Sequence, residues 1–378
     1  MKPFLTCVVT FAVAISAFAQ APPISQIFAF YCNSDYSSCP DGFQPQLGPV
    51  QLSDGNFYGT TAYGDTSSVL GTVWQATPSG SVNTLYNFTA NGSGKYVNGS
   101  YPDVALVAGP KGNLYGVTLE GGTQNSGVFY SLTTAGTQQV LYNFCSRAGC
   151  SDPAARIVLA GDGNFYGITP NLVFRLTPEG VWSRIRKFNP ARQEGVELIA
   201  GTDGNLYGVV FSLPFDTGKA SVFRLTTSGK YTALHTFPTL EEVSALTQSS
   251  SGTIYGVLCC GTDTGIFEIT APKTYTLLQP LAQSALPPTL LVVGSDGNLY
   301  GLITNGSEYA GYVFAINGEG TTIFSEQFTC SSDGCDPLSL IEASDGNFYG
   351  LTAVGGTVSQ GDNSNGTIFE VATGLKEH

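Results

Sequence analysis

Six acids and five aromatic residues in the irregular stretches of this chain are the side chains whose types could do chemistry. The acids are Asp65, Glu120, Asp216, Asp263, Glu308 and Asp362, and the rings are Tyr63, Tyr96, Tyr101, Phe215 and Tyr309. They fall in Gly- and Asn-rich stretches between apolar segments, where binding and catalytic groups concentrate on a rigid scaffold. Two carboxylates held roughly 5–9 Å apart can run glycoside chemistry, one as proton donor and the other as nucleophile or base. Rings with an apolar body and a polar tip supply contact area to a sugar or a protein. The residues therefore admit two functions. One is a non-catalytic module that binds an extracellular glycan or protein; the alternative is a carbohydrate-active enzyme of the glycoside hydrolase or polysaccharide lyase type. Other catalytic devices lack material. His235 and His378 are the two histidines, neither stands near a nucleophile motif, and no G-x-S-x-G, phosphate-binding loop or H-E-x-x-H occurs. No catalytic residue is assigned, and binding is the expected role.

No metal or cofactor is expected either. The Asp of a recurring Asp-Gly-Asn phrase suits calcium by its oxygens. Each copy, however, offers one carboxylate without an acidic partner behind it, and Lys111 and Ser251 replace it in two copies. Its simpler role is to bond the backbone of its own turn. The Gly- and Asn-rich segment 361–366 is a slightly better calcium candidate. Beyond Cys7, eight cysteines come in close pairs: Cys32/Cys39, Cys145/Cys150, Cys259/Cys260 and Cys330/Cys335. Locally paired cysteines in a secreted chain read as disulfides. A zinc set fits poorly, since the pairs lie far apart and histidine is scarce. For the adjacent Cys259 and Cys260, a vicinal disulfide, a free state and cross-pairing all stay open, because neighbouring Cα atoms sit closer than the usual disulfide span.

The N-terminus and the charge balance point to a compartment and exclude some partners. Lys2, the apolar run 4–15 and Ala17-Phe18-Ala19 form a secretory leader over 1–19, which places the mature start at Gln20. That run is shorter than the ~20 residues that span a bilayer, and no later stretch is apolar enough, so a secreted monomer without membrane insertion is expected. Fifteen Lys and Arg stand against 28 Asp and Glu, for a net charge of −13. A chain this acidic is not expected to bind nucleic acid or an anionic membrane surface, which demand clustered positive charge. Its one basic cluster, Arg184, Arg186 and Lys187, reads as a solvated strand edge.

A repeat positions these residues. DGNFYG at 54–59 comes round as KGNLYG at 111–116, DGNFYG at 162–167, DGNLYG at 203–208, SGTIYG at 251–256, DGNLYG at 296–301 and DGNFYG at 345–350. Intervals of 41 to 57 residues mark solenoids, propellers or arrays. Each unit divides into four short segments rich in Val, Ile, Leu, Phe and Tyr; around Asp203 these are 196–201, 205–211, 221–226 and 231–237. The first hairpin turn is the Asp-Gly-Asn phrase, at 54–56, 111–113, 162–164, 203–205, 251–253, 296–298 and 345–347. The third is a Thr-x-x-Gly phrase, as at 77–80 and 177–180. The Tyr of each Tyr-Gly pair is expected to pack between sheets, with the Gly allowing close approach. Four antiparallel strands repeated seven times predict an all-β fold, a seven-bladed β-propeller forming a single domain over 20–378. The last unit stops after its third strand at 367–371, whereas 25–32 matches the fourth strand of other units. The N-terminal strand is therefore predicted to close the last blade, which removes exposed sheet edges.

Units reading D-G-N-F/L-Y-G, then G-x-V/I-F/W-x-x-T-x-x-G, then L-Y-N-F with a cysteine pair after the fourth strand resemble the tandem GloVer repeats of secreted bacterial choice-of-anchor proteins. The Gly-Asn-aromatic-Gly hairpin is more distantly similar to the propeller repeats of two-component sensor ectodomains. The resemblance covers nearly all of 25–373; it implies a propeller and names no activity. Lys111, the Ser251-Gly252-Thr253 turn and the lack of an anchoring segment after the last repeat depart from it, and the last departure favours free release. Propeller strand order sends the loops between strands two and three, and those between blades, to one face, and the two repeated turns to the other. Every irregular insertion (63–70, 89–102, 120–126, 212–220, 259–264, 304–310 and 354–365) and every cysteine pair falls on the first face. A ligand is expected there, near the channel mouth.

Overall fold

A computed structural model describes residues 24–33, 38–66, 69–145, 156–189, 191–213, 218–239, 241–260, 263–270, 273–280, 286–304, 310–358 and 363–373. The leader over 1–19 lies outside them. Seven antiparallel sheets follow one another along the chain and form the blades of a propeller. The fourth blade shows the pattern: its strands are Gln193–Ala200, Leu206–Ser212, Lys219–Leu225 and Tyr231–Thr239, hydrogen-bonded in sequence order. Its inner strand begins three residues before the predicted 196, because a bulge between Gly195 and Glu197 lets the ladder continue past the break. In the first blade the inner strand is split into Phe43–Pro45 and Val50–Gln51, both paired to Phe57–Tyr63. No helix among the described residues is long and apolar enough to cross a membrane.

The ring closes as the two chain ends predict. Ile24–Cys32 pairs antiparallel with Asn363–Val371, with Ser25 opposite Glu370 and Ala29 opposite Thr367, and completes the sheet of Phe348–Val354 and Cys335–Glu342. The same strand packs sideways. Phe30 is fully buried, with its ring 5.7 Å from Trp74 of the first blade. Apolar clusters fill the spaces between neighbouring blades; one gathers Tyr58, Val73 and Phe88 of the first with Leu114, Val128 and Tyr130 of the second. Burial of each such side chain contributes about 1.5–3 kcal/mol.

Both repeated phrases serve this packing. The Oδ1 of Asp54 accepts the Asn56 N–H at 3.0 Å, and the Tyr58 hydroxyl donates to Oδ2 at 2.6 Å. The same pair of bonds recurs at 162–166, 203–207, 296–300 and 345–349. Burial pushes the carboxyls of Asp54, Asp162 and Asp203 up, but the bonds from Tyr and Asn outweigh it and hold all three below the ordinary 3.8. Burial first, and then the neighbouring Asp54, pushes the Tyr58 phenol up to about 12. The repeated Tyr thus packs between sheets and also ties down its turn. Gly59 lies under the Trp74 ring, where any side chain would collide. In the Thr-x-x-Gly turn, Gly80 has φ +89° and lies against the Ile27 carbonyl of the adjacent outer strand, so the position excludes a side chain twice over. The basic cluster does fall on an outer strand, Trp182–Lys187, where Arg186 covers the Tyr231 ring at 4.0 Å.

Candidate functional site

The end of the second strand, where it enters the loop face, is the position at which blades differ. It carries Tyr63 in the first blade and, past the end of the strand, Glu120 in the second and Cys260 in the fifth. Two groups of side chains gather there.

The first group spans the first two blades. Tyr63 ends Phe57–Tyr63 and stands opposite Phe43 in the ladder, so the rings stack at 4.9 Å and 17°. Tyr101 meets Tyr63 edge-on at 6.0 Å. Its backbone is left-handed, φ 55°, a conformation that costs a bulky residue of order 1–3 kcal/mol and persists only where the surroundings dictate it. Here the dictating bonds are plain. The Tyr101 N–H donates to the Leu70 carbonyl at 2.8 Å, its own carbonyl accepts from Leu119 at 3.0 Å, and Ser100 and Glu120 exchange two backbone bonds beside it. Asp103, at the entry to the second blade's inner strand, keeps a buried Oδ1 without a hydrogen-bond partner among the described residues. Burial, and then the charge of Glu120, pushes its carboxyl above the ordinary range. The Tyr101 phenol rises through burial and then through Tyr63, Glu120, Tyr96 and Asp103. Burial likewise raises Asp41, two residues before Phe43. Rigid rings beside protonatable acids can stack on a sugar face and accept its hydroxyl hydrogens.

The second group belongs to the fifth blade. Ladder register sets Glu242 opposite Cys259, the last residue of Ile254–Cys259. Cys260 then turns left-handed, φ 69°, and its thiol donates to the Cys259 sulfur at 3.0 Å. The Cys32–Cys39 and Cys330–Cys335 disulfides form, and Cys145 is disulfide-bonded as well; Cys150 lies outside the described residues. Cys259 and Cys260, by contrast, are free thiols, so the vicinal disulfide is not made. Burial, and then Cys260, pushes the Cys259 thiol up to about 12. Nearby, the Asp263 N–H donates to Glu241 at 3.4 Å. His235 stacks on Tyr275 of the next blade at 4.4 Å, and burial lowers its pKa; it is a packing residue between blades.

Of the residues singled out by sequence, Tyr63, Tyr96, Tyr101 and Glu120 come together. Asp65 is engaged elsewhere, accepting from the Ser38 hydroxyl at 3.1 Å and the Cys39 N–H at 2.8 Å, and so pins the disulfide loop. Asp263 sits on the fifth blade. Phe215, Asp216, Glu308, Tyr309 and Asp362 lie outside the described residues. Sequence reading missed Phe43, Asp103 and Glu242. Phe43 and Glu242 lie on inner strands and meet their partners through strand register; Asp103 stands out only through its burial in the fold.

A family model for the Gloeobacter/Verrucomicrobia repeat matches residues 26–210 and 192–377. The chain belongs to this repeat family. The two overlapping matches run through the seven blades of this Gloeobacter/Verrucomicrobia repeat protein. No curated protein sequence matches it. Among solved structures, it is similar to a streptogramin B lyase at 14% identity and TM-score 0.61, over 94% of this chain and 99% of that one. A catalytically inactive virginiamycin B lyase from Staphylococcus aureus with quinupristin matches at 13% and 0.56, over 87% and 95%. A puromycin hydrolase matches at 13% and 0.56, over 90% of this chain and 53% of the other. At such identities the likeness is one of fold.

Proposed function

We propose that this repeat propeller is a secreted, non-catalytic module that binds an extracellular glycan or protein through its loop face. The observation behind the reading is the Phe43–Tyr63–Tyr101 ring set, with Tyr101 held in a strained backbone conformation by its neighbours and with Asp103 and Glu120 alongside. Pre-positioned rings lose little entropy on binding and offer an apolar surface. The Cys32–Cys39 and Cys330–Cys335 disulfides support an oxidising compartment. The test is a glycan array, with pull-down of extracellular proteins in parallel, using the mature chain and a Tyr63→Ala/Tyr101→Ala variant. The reading expects a ligand whose affinity falls at least about 30-fold in the variant, the size of a hot-spot loss. A ligand bound equally by both proteins, or no ligand in either format, overturns it.

One observation favours the enzymatic alternative. Asp103 is raised by burial and then by the charge of Glu120, and a carboxyl pushed toward its protonated form can serve as a general acid. Product release from a polysaccharide, abolished by Asp103→Asn, would move the assignment to a carbohydrate-active enzyme.

A further inference from the structure

We propose that Cys259, Cys260 and Glu242 form a binding site for a thiophilic divalent cation of the zinc type at the loop-face end of the fifth blade. The three side chains converge for identifiable reasons. Successive residues of a strand point to opposite faces, so two adjacent cysteines on a regular strand would hold their sulfurs apart. The left-handed turn at Cys260 breaks that alternation and brings its sulfur to 3.0 Å from that of Cys259. Cross-strand pairing then sets Glu242 opposite Cys259. The two sulfurs and a carboxylate oxygen all lie within 4.8 Å of one another.

The donor set selects the ion. Two thiols and one carboxylate are poor ligands for calcium or magnesium, which take oxygen, and good ones for zinc and its softer relatives. Zinc–sulfur bonds of about 2.3 Å in a tetrahedral arrangement need sulfurs roughly 3.8 Å apart. A small rotation of the exposed Cys260 side chain opens the present separation that far. Binding releases the thiol protons to solvent as the thiolates form. Three protein ligands leave a fourth position for water or an incoming ligand group. Glu241, next to Glu242 in the chain, accepts from the Asp263 N–H and so ties the two stretches that carry the site to each other. The Cys-Cys pair occurs in one repeat, while the corresponding strand ends carry Tyr63, Glu120, Ser212 or Val354, so blade construction does not require it.

The test is titration of the folded mature chain, its disulfides intact and Cys259 and Cys260 kept as thiols, with Cd2+, read by sulfur-to-cadmium charge-transfer absorbance, with Zn2+ as competitor. The proposal expects a band that saturates at a single equivalent, is removed by Zn2+ and is absent from Cys259→Ser/Cys260→Ser. Because that variant keeps every other cysteine, a band that persists in it overturns the proposal. Glu242→Gln keeps the band and weakens Cd2+ binding by about tenfold or more; unchanged affinity removes Glu242 from the site. Cys260→Ser, at an exposed position, guards against misfolding of the double variant and loses most of the affinity. Wild-type protein with no band, or with Cys259 and Cys260 locked as a vicinal disulfide that resists mild reduction, contradicts the proposal outright. None of these outcomes depends on glycan or protein binding at the first two blades.

Discussion

On the turn face of the propeller, Asp54, Asp162 and Asp203 are pulled below the ordinary carboxylate range; on the loop face, Asp41 and Asp103 are pushed above it. Asp54, Asp162 and Asp203 each accept bonds from an Asn N–H and a Tyr hydroxyl, and their pKa values lie below the ordinary one. Asp41 and Asp103 are raised by burial, Asp103 further by Glu120. The turn face repeats one solution, in which the Asp carboxylate accepts from the Asn N–H and the Tyr hydroxyl of the same phrase. The loop face departs from the repeat blade by blade and keeps an unpartnered carboxylate oxygen, a left-handed tyrosine and two free thiols. Local consistency marks what builds the fold, and local conflict marks where function is sought.

Both faces depend on the closed ring, so the largest effect is expected at the closing strand. Phe30→Ala removes a fully buried ring between the last and first blades and should destabilise the protein by about 3–5 kcal/mol, read as a lower urea midpoint. A change under about 1 kcal/mol would mean that the N-terminal strand is dispensable. Next, Tyr63→Ala/Tyr101→Ala should lower ligand affinity by about 2 kcal/mol or more and leave the ring of blades folded, at the stability cost of the lost ring contacts, since alanine keeps the Cβ that the left-handed backbone at 101 disfavours. The turn face should behave in the reverse way. Asp162→Ala strips the acceptor from Asn164 and the Tyr166 hydroxyl and should cost about 1–3 kcal/mol of stability without touching binding. Asp103→Asn, which removes a carboxylate that burial disfavours, should leave stability at neutral pH unchanged or slightly higher.

The smallest effect is the pH dependence, and its sign separates the faces. The lowered turn-face acids contribute stability that is present above their unfolded pKa of about 3.9 and lost as pH falls through their folded values. Asp103, being raised, contributes in the opposite sense: its contribution is present below the unfolded pKa and lost as pH rises through the folded one. Stability measured by urea unfolding between neutral pH and pH 3 should therefore fall more steeply with acid in Asp103→Asn than in the parent, and less steeply in Asp162→Ala.

The architecture was legible because it is written in local residues. Asp-Gly-Asn and Thr-x-x-Gly specify their own turns, and the apolar segment at 25–32 matches the strand that the last unit lacks. Tyr63, Tyr101 and Glu120 were legible as loop residues on the correct face. Their partners were not. Phe43 meets Tyr63 only through the register of a split inner strand, and Glu242 meets Cys259 in the same way. Asp103 matters because of burial, which its neighbours in sequence do not reveal. The free state of Cys259 and Cys260 depends on a backbone turn at Cys260 that adjacent-residue spacing leaves undetermined. Asp65 stood among the loop acids expected to meet a ligand, yet it caps the Cys39 loop.

The division of labour between the faces is tested most directly by one side-by-side binding measurement on glycan and extracellular-protein ligands, using the parent chain, Asp162→Ala and Tyr63→Ala/Tyr101→Ala. The account predicts that the turn-face variant binds as the parent does although it is less stable, and that the loop-face variant loses binding although it stays folded. Equal binding by the parent and the loop-face variant, or loss confined to the turn-face variant, would contradict it.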